Sequence, residues 1–99
     1  MLTGKQRAYL RGLAQDITPI FQIGKKGIEE NFIIQVKEAL EKRELIKIKV
    51  LENSGLDTRE ASDELCRIVG AEGIQAIGSK MVIYKKSEKN PKIELPKGK

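Results

Sequence analysis

The most informative continuous stretch lies near the amino terminus: Ile20-Phe21-Gln22-Ile23-Gly24-Lys25-Lys26-Gly27-Ile28. Its first four residues form a short, mostly apolar run typical of a strand, which Gly24-Lys25-Lys26-Gly27 then interrupts. From Ile28 to about Arg43, apolar residues recur at spacings of three and four, which predicts an amphipathic helix. The stretch therefore predicts a strand, a glycine loop and a helix in direct succession.

Downstream of this unit, the sequence predicts a second strand, a third helix and a hairpin. Leu45–Leu51 alternates between aliphatic residues and lysines, which is the period of a strand with one buried face. Asp57-Thr58-Arg59-Glu60 has the pattern of a capping box and predicts a helix start, and Gly70 is placed to end that helix. Gly78-Ser79 is typical of a tight hairpin connection. The two strands that it joins are predicted at 73–77 and 80–85.

Upstream, Thr3 and Gln6 form another capping box, which predicts a helix from Thr3 to about Asp16. The order α-β-α-β-α-β-β describes a single α/β domain with a small mixed sheet, and right-handed crossovers place the second and third helices on one face of it. We assign residues 1–86 to this domain. Residues 87–99 form a basic tail with few apolar groups, which we expect to be loose.

Composition limits the functional classes. With 99 residues, of which 39% are apolar and 33% charged, the chain fits one domain with a well-charged surface. Histidine is missing, which excludes a histidine base, and the single cysteine, Cys66, excludes a Cys/His zinc site. No apolar run is long enough to span a membrane, and residues 1–5 start no hydrophobic targeting segment, so we expect a cytoplasmic protein. We predict no cofactor and no metal.

Positive charge is concentrated at the two ends of the chain. Of the net charge of +5, residues 1–27 carry +4, residues 28–86 carry −1 and residues 87–99 carry +2. A basic segment beside a nearly neutral body indicates a polyanionic partner.

The glycine loop, Gly24, Lys25, Lys26 and Gly27, is the first candidate binding site. Placed between a strand and a helix start, it would direct free amide groups and the helix dipole at a docked phosphate. Two glycines would let a sugar-phosphate backbone approach, as in the GXXG loop of KH domains. The alternative is a tight turn with two solvated lysines. The spacing matches neither a P-loop nor a dinucleotide fingerprint, so no nucleotide cofactor is predicted.

Two further sets of basic residues are candidates. Lys5, Arg7 and Arg11 lie on the first helix, where the alternative is an ordinary charged helix surface. Lys47 and Lys49 lie on one face of the second strand, where the alternative is a solvated strand face. The carboxylates form no acid and base pair of the kind used in catalysis, and Cys66 fits a small buried hydrophobe better than a nucleophile.

Five blocks of the sequence, in order and spacing, resemble the YhbY-like bacterial proteins of the CRM domain family, named for chloroplast RNA splicing and ribosome maturation. These blocks are Leu2-Thr3-Gly4-Lys5-Gln6-Arg7, Pro19–Gly27, Arg43-Glu44-Leu45-Ile46-Lys47-Ile48, Gln75-Ala76-Ile77-Gly78 and Ile93-Glu94-Leu95-Pro96. The resemblance implies a four-stranded mixed sheet with helices mainly on one face, similar to the C-terminal domain of a bacterial translation initiation factor.

The same resemblance implies RNA binding, with bacterial members associated with precursors of the large ribosomal subunit. We therefore expect a noncatalytic, monomeric protein that binds ribosomal RNA through the glycine loop and neighbouring basic residues. The alternative is a basic adaptor that docks on an acidic ribosomal or translation-factor protein surface.

Overall fold

A computed structural model describes residues 2–97 of the chain. The strands of this part form one mixed sheet in the order β1-β2-β4-β3, in which β1 runs parallel to β2 and the other neighbours are antiparallel. The predicted element order and the α/β class are confirmed, with a short 3-10 turn added after β2. The elements are α1 Gly4–Ala14, β1 Phe21–Ile23, α2 Glu30–Arg43, β2 Leu45–Val50, the 3-10 turn Glu52–Ser54, α3 Thr58–Val69, β3 Glu72–Ile77 and β4 Lys80–Tyr84.

The predicted capping residues fix the starts of two helices, with the full reciprocal capping box at α1 and only its Asp57 half at α3. At α1, the Thr3 hydroxyl accepts the amide N–H of Gln6 at 3.2 Å, and the Gln6 side chain accepts the amide N–H of Thr3 at 3.1 Å. At α3, the Asp57 carboxylate accepts the amide N–H of Glu60 at 3.2 Å. Gly70 ends α3 in the left-handed conformation, with φ 74°, which glycine adopts at little cost.

Helix α2 begins later than predicted, at Glu30 instead of Ile28. Glu29 occupies the capping position, but its side chain makes no capping hydrogen bond. Ile28 continues the three-and-four spacing because it packs against the same core as the helix, although its backbone is not helical. Apolar spacing reports burial against a common surface, so it places Ile28 correctly in the core and wrongly in the helix.

The sheet separates two apolar cores. The larger lies between the sheet and helices α2 and α3, and it consists of Ile23, Val36, Leu40, Ile46, Ile48, Val50, Ala61, Leu65, Val69, Met81 and Ile83. The smaller lies on the opposite face, beneath α1, and it consists of Leu10, Ala14, Leu45, Ile74, Val82 and Tyr84. Helices α2 and α3 thus share one face as predicted, while α1 covers one end of the other.

The tail differs from the loose segment that composition predicts, because residues 87–97 lie against the domain. The buried carboxylate of Glu44 accepts amide N–H groups from Ser87, Lys92 and Ile93 at 2.8, 2.7 and 2.7 Å. Burial alone would raise the pKa of this carboxyl, but the amide hydrogen bonds outweigh it and hold the pKa below its ordinary value.

A second carboxylate and two apolar side chains complete the attachment of the tail. Glu41 accepts the hydroxyl of Ser87 and the amide N–H groups of the next two residues. Ile93 and Leu95 pack against the smaller core. Backbone amides supply most of the polar contacts, and side-chain composition does not report them. Residues 98 and 99 of the predicted tail, like residue 1 of the predicted domain, lie outside the described part.

Candidate nucleic-acid interface

The glycine loop forms a tight turn at the carboxyl end of β1. The amide N–H of Gly27 donates to the carbonyl oxygen of Gly24 at 2.9 Å, which closes the turn. Gly27 has φ 71°, in the left-handed region, so a glycine is required there by backbone conformation. Lys25 and Lys26, at the tip, are both exposed. Their amide N–H groups donate to no acceptor within residues 2–97, so the tip presents two lysines and two open amides.

Neither backbone strain nor steric crowding requires a glycine at position 24. A Cβ atom built on Gly24 would lie 3.7 Å from the Leu51 side chain and 4.0 Å from the side-chain oxygen of Asn53, which are ordinary contacts. Its φ lies outside the left-handed region. A small side chain at this position is therefore compatible with the fold, and any requirement for glycine here would arise from a bound partner.

The α2 dipole contributes less to a phosphate site at the turn than the sequence predicts, because the helix begins only at Glu30. Two residues separate the turn from α2, and the exposed carboxylates of Glu29 and Glu30 lie at the start of that helix. Acidic side chains there interact favourably with the helix dipole and take the place of an external anion. The turn itself, with its amides and lysines, is thus the part of this region that can receive phosphate.

At Gly27 and Ile28, one side of the turn borders an open cavity of about 370 Å³. Its lining includes Gly27, Ile28 and Leu56, together with the exposed carboxylates of Glu60 and Glu64 on α3. These carboxylates would repel a phosphate, so the cavity side of the turn is electrostatically unfavourable for a nucleic-acid backbone.

The structure separates the predicted basic residues of α1 from the glycine loop. The Arg7 guanidinium donates to the Glu72 carboxylate at 2.8 Å and to the carbonyl oxygen of Gly73 at 2.6 Å. These contacts tie α1 to β3, which lies at the opposite edge of the sheet from β1 and the loop. Lys5 and Arg11 are exposed. Arg7 therefore has a structural partner, whereas Lys5 and Arg11 remain available to a ligand.

Lys47 and Lys49 lie on the face of the sheet opposite α2 and α3, as their alternation with buried residues predicts. Both are half-buried, as expected for lysines whose aliphatic stems lie along a sheet. Among residues 2–97, ion pairs form only between Arg7 and Glu72 and within α3, so neither lysine has a carboxylate partner there.

Three further features of the described part of the chain concern a thiol, metal-ligating side chains and helix length. Burial raises the pKa of the Cys66 thiol to about 11, so this cysteine is a poor nucleophile. Residues 2–97 contain no group of three or more metal-ligating side chains. None of the helices in this range is both long and apolar enough to cross a membrane.

Comparison with known proteins places the chain in a family. The profile of the CRS1/YhbY (CRM) domain matches residues 2–85. The chain belongs to the CRS1/YhbY family of CRM domains. This CRM domain is 48% identical to "Probable RNA-binding protein YqeI" of Bacillus subtilis over 96 residues, which cover 97% of the chain and 100% of the relative. It is 33% identical to "RNA-binding protein" of Haemophilus influenzae, covering 97% of the chain and 96% of that protein.

A solved structure supports the same assignment at the level of the fold. The solution structure of a hypothetical protein from Staphylococcus aureus, described there as a candidate RNA-binding protein, superimposes on this CRM domain with a TM-score of 0.77. The two are 49% identical, and the match covers 97% of this chain and 100% of the other. The four-stranded mixed sheet and its three helices therefore match the architecture of a solved structure.

Proposed function

We propose that this CRM domain is a noncatalytic RNA-binding protein whose Gly24–Gly27 turn receives the sugar-phosphate backbone. The observation that supports the proposal best is the tip of the turn between two glycines, where the amides of two exposed lysines have no hydrogen-bond partner among residues 2–97. Family membership adds support, since its relatives from Bacillus subtilis and Haemophilus influenzae are named RNA-binding proteins.

Each part of the turn has a distinct role in this proposal. The amide N–H groups of Lys25 and Lys26 donate hydrogen bonds to phosphate oxygens, and the ammonium groups neutralise the charge. Gly24 leaves room for the backbone to approach, and Gly27 maintains the turn through its left-handed conformation. Exposed basic residues elsewhere, Lys5, Arg11, Lys47 and Lys49, add phosphate contacts around this anchor.

Ribosomal RNA in precursors of the large subunit is the RNA that we propose as the physiological target. The support is the resemblance of the sequence to YhbY-like proteins and the excess of positive charge near the ends of the chain. Crosslinking in cell extract, followed by sequencing of the attached RNA, tests this target. We expect reads from large-subunit ribosomal RNA, whereas co-purification with a ribosomal or translation-factor protein that survives complete RNA digestion would favour docking on a protein.

The contribution of the loop is tested by salt-dependent binding. For a fluorescent poly(U) oligoribonucleotide, each phosphate contact contributes about 0.7 to the slope of log K against log salt. If both loop lysines contact phosphate, the Lys25→Gln/Lys26→Gln variant should therefore flatten the slope by about 1.4. Lys37→Gln/Lys42→Gln is the matched control, because it removes the same charge from exposed positions of α2. Equal slopes for the two variants would contradict a role for the loop.

A further inference from the structure

A row of side chains crosses all four strands on the uncovered half of the sheet. Gln22 of β1 is paired with Lys49 of β2, Lys49 is paired with Lys80 of β4, and Lys80 is paired with Ile77 of β3. Paired residues on neighbouring strands project on the same side of a sheet, about 5 Å apart. All four therefore share the face opposite α2 and α3, and Lys47 lies on that face two residues before Lys49.

The centre of this row places two like charges directly opposite each other. Lys49 and Lys80 are cross-strand partners, an arrangement that destabilises a sheet. None of the ion pairs formed within residues 2–97 involves either lysine. The fold thus accepts electrostatic repulsion at a solvent-facing position without a carboxylate to relieve it. An external anion would relieve that repulsion.

The row lies on the part of the face that the rest of the chain leaves open. Helix α1 and the tail cover the other end, where Leu45 and Tyr84 belong to the smaller core. Ile77 is 66% exposed and Lys80 is also exposed. The row is at the same end of the sheet as the glycine loop, since Gln22 comes two residues before Gly24.

We infer that the row Gln22-Lys49-Lys80-Ile77, together with Lys47, is a second phosphate-binding surface that extends the footprint of the glycine loop along a single strand of RNA. This inference rests on the proposed RNA-binding function and specifies the form of the ligand. The three ammonium groups contact consecutive backbone phosphates, and the Gln22 amide donates to phosphate or ribose oxygens.

Recognition on this surface is independent of base sequence. The row contains no aromatic side chain on which a base could stack. Its lysines and glutamine lie on an open sheet surface and not in a pocket that could enclose a base. Ile77 offers only a small apolar contact. Charge also favours this side over the opposite one, because the exposed acids Glu60, Asp63 and Glu64 of α3 outnumber its exposed bases Arg59 and Arg67.

The experiment compares three charge-removing variants of the full chain with poly(U) and poly(A) oligoribonucleotides at several salt concentrations. Lys49→Gln/Lys80→Gln tests the row, Lys25→Gln/Lys26→Gln tests the loop, and Lys37→Gln/Lys42→Gln is the matched control on α2. We expect the row variant to flatten the salt slope by about 1.4 with both RNAs, and the combination of row and loop variants to flatten it by about 2.8. Lys49→Arg/Lys80→Arg keeps the charges and should retain the native slope.

Thermal unfolding separates a binding role from a structural one. Because Lys49→Gln/Lys80→Gln removes a like-charge pair, its melting temperature should equal or exceed that of the native protein while its RNA affinity falls. A row variant with the native salt slope overturns this inference, and a flattened slope for the loop variant in the same titration leaves the proposed function standing. Poly-glutamate that competes as well as poly(U) for the native protein would also overturn it, because the surface would then fit an acidic protein.

Discussion

Replacement of Glu44 by glutamine tests the attachment of the tail to the domain. The native carboxylate is fully buried, with one oxygen accepting the amide N–H groups of Lys92 and Ile93 and the other accepting that of Ser87. Glutamine has nearly the same shape and preserves the backbone at φ 65°. Its NH₂ group cannot accept a hydrogen bond, so at least one of the three amides must lose its partner.

The expected cost follows from these contacts. Losing one hydrogen bond to a charged acceptor costs about 1.5–3 kcal/mol, and the bonds that remain become weaker because their acceptor is neutral. Two effects limit the loss: burying a neutral group requires less desolvation, and the tail can detach so that its amides bond to water. We therefore expect the free energy of unfolding to fall by about 2 kcal/mol, which for a domain of this size lowers the melting temperature by about 10 °C.

Thermal and urea denaturation, followed by far-UV circular dichroism, measure the cost. Glu38→Gln is the matched control, because it makes the same change at an exposed position of α2. Amide hydrogen exchange locates the effect, and the N–H groups of Ser87, Lys92 and Ile93 should exchange faster in Glu44→Gln than in the control. Identical melting temperatures and identical exchange in the two variants would refute the attachment.

Three further predictions concern stability. The pKa of Glu44 is lowered below its ordinary value of 4.5. The carboxylate therefore contributes its full stabilisation of the folded state above that pH, and the contribution is lost as the pH falls through the folded-state pKa. In urea titrations, the free energy of unfolding should fall less on acidification in Glu44→Gln than in the native protein. Gly27→Ala should cost about 1–2 kcal/mol because alanine is strained at φ 71°, whereas Gly24→Ala should stay near native stability in the same melts. Arg7→Gln should lower the free energy of unfolding by about 1 kcal/mol, because it removes the contacts of α1 with Glu72 and Gly73. Lys5→Gln, at an exposed position of the same helix, should leave the midpoint of thermal unfolding unchanged.

Local chemistry explains which parts of the fold the sequence predicts. The Thr3 and Asp57 caps are made with residues three positions away, so the pattern of a few adjacent residues contains the whole interaction. The start of α2 has no such motif, because Glu29 does not cap the helix, and the spacing of apolar residues was then the only guide. The helix start that it predicted was wrong by two residues.

Contacts between distant residues explain what the sequence does not predict. The carboxylate of Glu44 accepts hydrogen bonds from amides 43 to 49 positions away. In the sequence it follows the charged residues of α2 and resembles one more surface carboxylate. The pairing of Lys49 with Lys80 likewise depends on strand register, which a single sequence does not specify. The lysine face of β2 was predictable from alternation alone, whereas the row that crosses the sheet required the structure.

Chemical-shift mapping on titration with a poly(U) oligoribonucleotide locates the RNA-binding surface, because it reports every backbone amide at once. We expect the largest shifts at the amides of Gly24–Gly27, with further shifts along Lys47–Lys49 and around Lys80, and little change on the outer surface of α3. Binding that shifts α3 and leaves the glycine turn unchanged would contradict it.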